Sequence, residues 1–174
     1  NAAILCMDNI IERCSLINSI DQNTITLNPI ELHLSGFIST LVDSLNCRDQ
    51  VVIEASENIF LRTDLQFLHI ILKNLIENAL KYSPPEMAVR ISVQEFMSVQ
   101  APSIQIAVSN TVQDGWMPDA DLIFERFYRH PMARKIRGSG LGLSICQELS
   151  KALGGKIICE LSKTDATFIV ELPK

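Results

Sequence analysis

The sequence predicts an α/β fold in which a layer of helices covers one face of a mixed sheet. Two observations favour this class: helix-like and strand-like segments follow one another in mixed order, and hairpin-like pairs of strands stand at both ends. The 174 residues allow one compact domain and an appendage. Nearly half of the residues are apolar, which is enough for a buried core.

The helices are predicted from apolar residues at three- and four-residue spacing. The first covers residues 1 to about 21, where the pattern suits a coiled-coil or bundle partner but spans barely three heptads. A second amphipathic segment runs from about Leu34 to Leu45, and the strongest helix spans about Asp64 to Tyr82. Thr63 and Gln66 match a capping box at the start of that helix.

Strands are predicted where apolar and polar residues alternate, or where a short apolar run lies between turn signals. One pair, with a turn at Glu57-Asn58, precedes the strongest helix, and another pair ends the chain. The predicted strands are Val51–Ala55, Ile59–Leu61, Ala88–Phe96, Ile104–Val108, Ile157–Leu161 and Thr167–Leu172. A last helix is predicted from Leu141 to about Leu153, where Gly154-Gly155 ends it.

Charge and cysteine content narrow the classes of function. A formal net charge of −5 argues against nonspecific nucleic-acid binding. However, residues 126–140 carry five basic residues and no acid, which predicts an anionic ligand, although a solvated basic loop explains the same pattern. The five cysteines show no CxxC pairing, as expected for a reducing compartment. His33, His69 and His130 lie outside any recognisable nucleophile motif, so we interpret them as surface or hydrogen-bonded residues.

Three short motifs are candidates for chemistry. Asn74 and Asn78 lie one turn apart at the edge of an apolar helix face, where their amide oxygens suit Mg²⁺ but ordinary border residues are the simpler interpretation. The glycine-rich segment 138–143 opens the last helix and favours phosphate binding and a flexible hinge about equally. Phe124 and Phe127, three residues apart, fit an anchor that holds the irregular segment around them by aromatic burial, and simple core packing is the alternative.

Together these motifs resemble the histidine-kinase branch of the GHKL ATPases. The family's N box, F box and second glycine box are matched by NLIENALKYSP at 74–84, IFERFYR at 123–129 and GSGLGLSI at 138–145. Their order and spacing agree with the family, and the similarity runs from about residue 31 to the C-terminus. The resemblance implies a two-layer α/β sandwich, with a mixed sheet of about five strands packed on about three helices, preceded by a helical fragment.

The resemblance also implies a function, which is that of the ATP-binding catalytic domain of a two-component sensor histidine kinase. Such a domain transfers the γ-phosphoryl group of ATP to a histidine on a dimerisation domain. Residues 1–22 resemble the end of that phosphoacceptor hairpin, and residues 23–174 the ATP-binding domain. The implied partners are the dimerisation domain, a response regulator and a second copy of the full-length protein. The implied location is cytoplasmic, in a parent protein that can be anchored to the inner membrane.

The family's site residues are carried over position by position. By resemblance, Asn74 and Asn78 coordinate Mg²⁺ on the ATP phosphates, and Lys81 and Tyr82 face the nucleotide. The turn over the phosphates comprises Gly138, Ser139, Gly140, Leu141, Gly142 and Leu143, with Arg129 or Arg137 as a phosphate partner.

One motif departs from the family pattern. The family has DxGxG, whose aspartate accepts a hydrogen bond from the adenine amino group, whereas this chain has Asn110 and lacks the first glycine; Asp114-Gly115 is the rival assignment. An asparagine oxygen can accept the same bond without charge assistance. The departure favours a second hypothesis, a degenerate domain with weak or no ATP binding that serves for docking or dimerisation. A water-activating GHKL ATPase is disfavoured, because Asn74 stands where its glutamate is expected.

Overall fold

The computed structural model describes residues 26–56, 58–97, 102–112, 117–131 and 138–174. The helix predicted at residues 1–21, Arg137 and the rival assignment Asp114-Gly115 lie outside these ranges. In chain order, the elements within them are β1 (Pro29–His33), α1 (Leu34–Ser44), a 3-10 turn (Arg48–Gln50), β2 (Val51–Ala55), β3 (Phe60–Asp64), α2 (Leu65–Tyr82), β4 (Val89–Met97), β5 (Pro102–Thr111), α3 (Gly142–Ala152), β6 (Lys156–Leu161) and β7 (Asp165–Pro173). None of the helices in the described part of the chain has the length and apolar character needed to cross a membrane.

Five strands form a mixed sheet in the order β2-β4-β5-β7-β6. β2 and β4 are parallel, and the other neighbouring pairs are antiparallel. Parallel neighbours need a long connection that returns the chain to the same end of the sheet, and the segment containing β3 and α2 provides it. The predicted α/β fold, with a mixed sheet of about five strands and about three helices, is confirmed.

The helices pack against one face of the sheet and enclose the core. α2 contacts both α3 and the central strand β5, so one helix is held against two elements. Alternate residues of β5 point toward the helices and meet the apolar face of α2, while β7 lies against α3. Among the most buried core side chains of these elements are Leu68, Ile71, Leu72, Leu75, Ile76, Ile104, Ile106, Val108 and Val170. This packing fixes α2 beside the ends of β5 and β7.

The two strands that precede α2 do not form the predicted hairpin. β2 joins the five-stranded sheet beside β4, whereas β3 pairs with β1 in a separate two-stranded sheet, with Leu32 opposite Leu61. Alternation identifies a strand but not its partner, and the sequence analysis missed β1, the strand that pairs with β3. The predicted pair at the C-terminal end, β6 and β7, does form an antiparallel hairpin.

The start of α2 also differs from the prediction, because its N-cap is Asp64 and not Thr63. The Asp64 carboxylate accepts hydrogen bonds from the backbone amides of Gln66 at 3.0 Å and Phe67 at 3.1 Å. These bonds satisfy two of the amides that the first helical turn leaves without partners. Thr63 lies one residue earlier and pairs with Ile30 in the ladder of β3 and β1, while the cap falls on Asp64, the last residue of β3.

Candidate functional site

A cavity of about 360 Å³ lies between α2, the adjoining ends of β5 and β7, and the segments that precede α3. This volume is in the range of ligand pockets in proteins. The cavity gathers most of the residues that the sequence motifs singled out. Those lining it are Asn74, Asn78, Lys81, Tyr82, Asn110, Arg129, Gly138, Ser139, Gly140, Gly142 and Leu143. Three motifs that are distant in the sequence therefore meet at one site.

The two asparagines of α2 lie against the start of α3. Asn74 is buried, and its Nδ2 donates a hydrogen bond to the Ile70 carbonyl at 2.9 Å. This bond turns Oδ1 toward Gly142, where a Cβ would lie 3.2 Å from that oxygen and 3.9 Å from Asn78 Nδ2. The absence of a side chain at Gly142 therefore leaves a cradle in front of both carboxamides.

This cradle fits a hard divalent cation. Amide oxygens are suitable ligands for Mg²⁺, which needs only one or two protein ligands when phosphates and water complete its shell. Asn74 Oδ1 is oriented by a bond made through its own amide nitrogen, so the oxygen is presented in a fixed direction. The donor set of Asn74 and Asn78 thus suits the metal that the sequence resemblance implies.

Lys81 and Tyr82 occupy the next turn of α2 along the cavity. The Lys81 ammonium lies 5.1 Å from the centroid of the Tyr82 ring. It also lies so close to Gly138 that a Cβ there would come within 2.8 Å of Nζ. Burial raises the pKa of the Tyr82 phenol above its ordinary value, and the positive charge of Arg129 partly opposes that rise. Tyr82 is therefore a neutral hydrogen-bonding group at physiological pH, beside two cations.

A second glycine contact joins the segments on either side of residues 132–137. Gly140 has a φ of +74°, and a Cβ at this position would lie 2.7 Å from the Phe127 carbonyl carbon. The Phe127 amide in turn donates to the Gly140 carbonyl at 2.9 Å. Both the left-handed backbone and the close approach require glycine here. The glycine-rich turn and the FERFYR segment are consequently held together.

The aromatic anchor is only partly as predicted. Phe124 is half-buried and meets Phe168 of β7 edge-on, with ring centroids 6.4 Å apart. Ile123 beside it is buried in the core. Phe127, however, is 69% exposed and has a positive φ of 67°, so the expectation that it anchors the segment by burial is wrong. Its backbone amide is bonded to Gly140, while its ring is exposed to solvent.

The Leu141 side chain is the one described member of the glycine-rich turn that does not line the cavity. It is 3% exposed and packs in the core below the first turn of α3. Ser139 Oγ accepts a hydrogen bond from the Leu141 amide at 3.4 Å, and Ser139, unlike Leu141, lines the cavity. The Leu141 side chain therefore lies outside the cavity lining, while Leu143 is at the cavity wall, and the nucleotide contact of Leu141 stays a prediction.

The opposite end of the cavity is formed by the sheet. Asn110, at the end of β5, is 4% exposed and lies opposite Ala166 of β7. Its Nδ2 donates to the Thr111 carbonyl at 3.0 Å, so Oδ1 is the atom that can accept a bond from a ligand. Ala166 and Phe168 add apolar surface beside it. This end combines one oriented acceptor with a flat apolar wall.

Several lining residues were missed by the sequence analysis. His130, interpreted there as a surface or hydrogen-bonded residue, lines the cavity next to Arg129. The sequence signal that indicated a role for His130 was its position directly after Arg129, within the stretch 126–140 that has no acidic residue. The others are Glu77, Val112, Pro118, Ile123, Tyr128, Ala166 and Phe168. For Ala166 and Phe168, the alternation of β7 already indicated an inward side chain.

The chain belongs to the family of histidine kinase-, DNA gyrase B- and HSP90-like ATPases, whose sequence model matches residues 63–174. The family resemblance drawn from the three motifs is thereby confirmed. The family is one of ATPases, so the domain is a nucleotide-binding domain.

Among sequence relatives, hybrid signal transduction histidine kinase D of Dictyostelium discoideum is 36% identical over 131 residues, covering 72% of this chain and 8% of the relative. Sensor protein VanS of Enterococcus faecium is 30% identical over 176 residues, covering 96% of this chain and 44% of VanS. The chain therefore spans less than half the length of these curated relatives.

Solved structures share the fold. Histidine kinase AdeS of Acinetobacter baumannii superposes with a TM-score of 0.76 at 16% identity, covering 98% of this chain and 79% of AdeS. The catalytic domain of histidine kinase ThkA gives a TM-score of 0.70 at 24% identity, covering 84% of this chain and 96% of ThkA. At these identities the superpositions establish the shared α/β architecture.

Proposed function

We propose that this chain is the ATP-binding catalytic domain of a two-component sensor histidine kinase. The observation that carries the proposal is the meeting of Asn74, Asn78, the glycine-rich turn and Asn110 around one cavity. Family membership and the names of the sequence relatives support it. A full-length ShkA of the same fold, with a TM-score of 0.70, is described in complex with AMPPNP, an ATP analogue.

The two ends of the cavity suit the two ends of ATP. Asn110 Oδ1 would accept a hydrogen bond from the adenine amino group, with Ala166 and Phe168 against the base. The phosphates would lie near Lys81 and Arg129, since ammonium and guanidinium groups at the other end favour a polyanion. The Gly138–Leu143 turn would cover them with backbone amides at the start of α3.

Asn74 and Asn78 would hold Mg²⁺ at the cradle left by Gly142. The ion would neutralise charge on the phosphate oxygens during transfer. The residues of this chain would do the positioning: the α2 carboxamides fix one face of the phosphates, and Lys81 and Arg129 fix another. A carboxamide cannot take a proton from water, so Asn74 favours transfer to a protein nucleophile over hydrolysis.

The reaction would be an in-line displacement at the γ-phosphorus. A histidine nitrogen forms a bond to phosphorus while the bond to the β,γ-bridging oxygen breaks, and ADP leaves. We propose that this histidine belongs to a dimerisation domain, of which residues 1–22 are the end, while residues 23–174 form the ATP-binding domain. A response regulator and a second copy of the full-length protein would be the partners, and membrane anchoring would belong to the parent protein.

Calorimetric titration with Mg-ATP tests the proposal. Asn78→Ala should raise the dissociation constant by about 30-fold, because removing even a supporting residue of a metal site costs this order of affinity. Asn58→Ala is the matched control, since it removes an exposed carboxamide from a loop away from the cavity. Absence of heat with the folded wild type at millimolar Mg-ATP would instead support the degenerate docking domain.

A further inference from the structure

With Asn110 in place of an aspartate, the site needs a further means of distinguishing adenine from guanine. A carboxylate only accepts hydrogen bonds, so it favours a purine with an amino group at C6 whichever way it turns. A carboxamide presents an acceptor on one side and two donors on the other. If the Asn110 amide turned over, its NH₂ group would favour a carbonyl at C6, as in guanine.

The structure holds this amide in one orientation. Asn110 Nδ2 donates to the carbonyl of Thr111 at 3.0 Å. The peptide group between Thr111 and Val112, which supplies that carbonyl, is held from its other side as well. The Val112 amide donates to the Thr164 carbonyl at 2.6 Å. Nδ2 therefore faces an acceptor whose position is fixed, and Oδ1 faces the cavity.

Asp165 ties this arrangement to the β6–β7 turn. Its two carboxylate oxygens accept hydrogen bonds from Thr111 Oγ1 at 3.0 Å and from Thr164 Oγ1 at 2.7 Å. The same carboxylate therefore joins the residue whose carbonyl binds Asn110 and the residue whose carbonyl binds Val112. The bonds from Thr164 and then Thr111 lower the pKa of Asp165 below its ordinary value, so it is ionised near neutral pH and acts as an acceptor.

We propose that Thr111 and Asp165 are positioning residues that hold the Asn110 carboxamide with its oxygen toward the base and so make the site select a C6-amino purine over a C6-carbonyl purine. This inference rests on the proposed function, in which Asn110 contacts the base. A carboxylate selects a C6-amino purine because it can only accept hydrogen bonds. In this chain the same selectivity depends on how the end of β5 and the β6–β7 turn orient the Asn110 amide.

The test is the ratio of the dissociation constants for Mg-GTP and Mg-ATP. Thr111→Val keeps the side-chain shape and removes the hydroxyl. It should lower the ratio about tenfold, the order expected when the Thr111–Asp165 bond no longer holds the residue whose carbonyl orients the Asn110 amide. Ser109→Ala is the matched control, because Ser109 makes a hydroxyl bond to Thr167 two pairs along the same two strands. The ratio should stay at the wild-type value in this control, and Thr111→Ser should restore it.

A second background separates orientation from stability. In Asn110→Asp the group has no donor at neutral pH, so adding Thr111→Val should leave the ratio unchanged. Asp165→Asn changes the carboxylate that accepts hydrogen bonds from Thr111 and Thr164. It should therefore loosen the same peptide group and lower the ratio about threefold.

The possible failures are distinct. Equal weakening of both nucleotides, or an unchanged ratio in Thr111→Val and Asp165→Asn, would overturn the inference and leave the proposed function standing. A wild-type domain that does not bind Mg-ATP would overturn both.

Discussion

The two ends of the cavity are built from different kinds of structure. At the base end, Asn110 and Ala166 face each other across the paired strands β5 and β7. At the phosphate end, the wall opposite α2 consists of irregular chain at residues 117–131 and 138–141. There the Phe127–Gly140 backbone hydrogen bond and the close glycine contact join the two segments.

This difference predicts different consequences of substitution at the two ends. A ladder of paired strands holds its groups in place before the ligand arrives, so changes there should alter which base is preferred. In the proposed function, the irregular segments at the other end must keep one conformation to cover the phosphates. Because every nucleotide triphosphate carries the same phosphates, changes there should alter how tightly any of them binds.

The largest expected effect is at the phosphate end. Gly140→Ala should weaken Mg-ATP binding by about 100-fold, because the left-handed backbone and the contact with Phe127 together cost a few kcal/mol. Gly36→Ala is the control, since it adds the same methyl group on α1, against the flexible side chain of His33. Calorimetry measures both variants. Wild-type affinity in Gly140→Ala would mean that the turn does not need this conformation to bind phosphates.

The next comparison separates the two phenylalanines of the same segment. Phe124→Ala should lower the free energy of unfolding by about 2 kcal/mol, because it removes a half-buried ring that packs on Phe168. Phe127→Ala should change it by less than about 0.5 kcal/mol, since that ring is exposed. Urea denaturation followed by circular dichroism gives both values. Similar losses in the two variants would show that Phe127 packs against the domain after all.

At the base end, Asn110→Asp should tighten ATP binding about fivefold, because the bond to the adenine amino group gains charge assistance. Affinity for GTP should not increase, which distinguishes this effect from a general change in stability. Asn58→Asp, on an exposed loop, is the charge-matched control. If ATP affinity is the same in Asn110→Asp and the wild type, Asn110 is not the base contact.

The smallest expected effect concerns pH. The pKa of Asp165 is lowered in the folded state, chiefly by its hydrogen bond from Thr164, so its contribution to stability is present above the unfolded value and is lost as pH falls through the folded one. The difference in unfolding free energy between the wild type and Asp165→Asn should thus be full near about pH 7 and diminish as pH falls below the ordinary aspartate pKa of about 4. A difference independent of pH would mean that the charge of Asp165 is unimportant.

The sequence was most informative where one local pattern determines the structure. The long apolar face of α2 and the glycines at 138–142 predicted a helix and a turn that the structure contains. The partner of β3, the cap at Asp64 and the outward ring of Phe127 were missed, because each depends on chain that is distant in sequence or on one backbone bond. The burial of the Leu141 side chain was not predicted for a related reason: the packing beneath a turn decides which side of it a residue faces.

The parallel pairing of β2 with β4 has a consequence for the order in which the domain folds. Val51 pairs with Val89, whereas Leu161 pairs with the nearby Ala166 in the β6–β7 hairpin. Closing the longer loop costs more chain entropy, so the hairpin should form early and β2, at one end of the sheet, should join late. The opening reactions that let β2 amides exchange with deuterium should then have a lower free energy than those that expose β5 amides. Such openings would separate β2 from the sheet while β5 and β7, which line the cavity, stay paired.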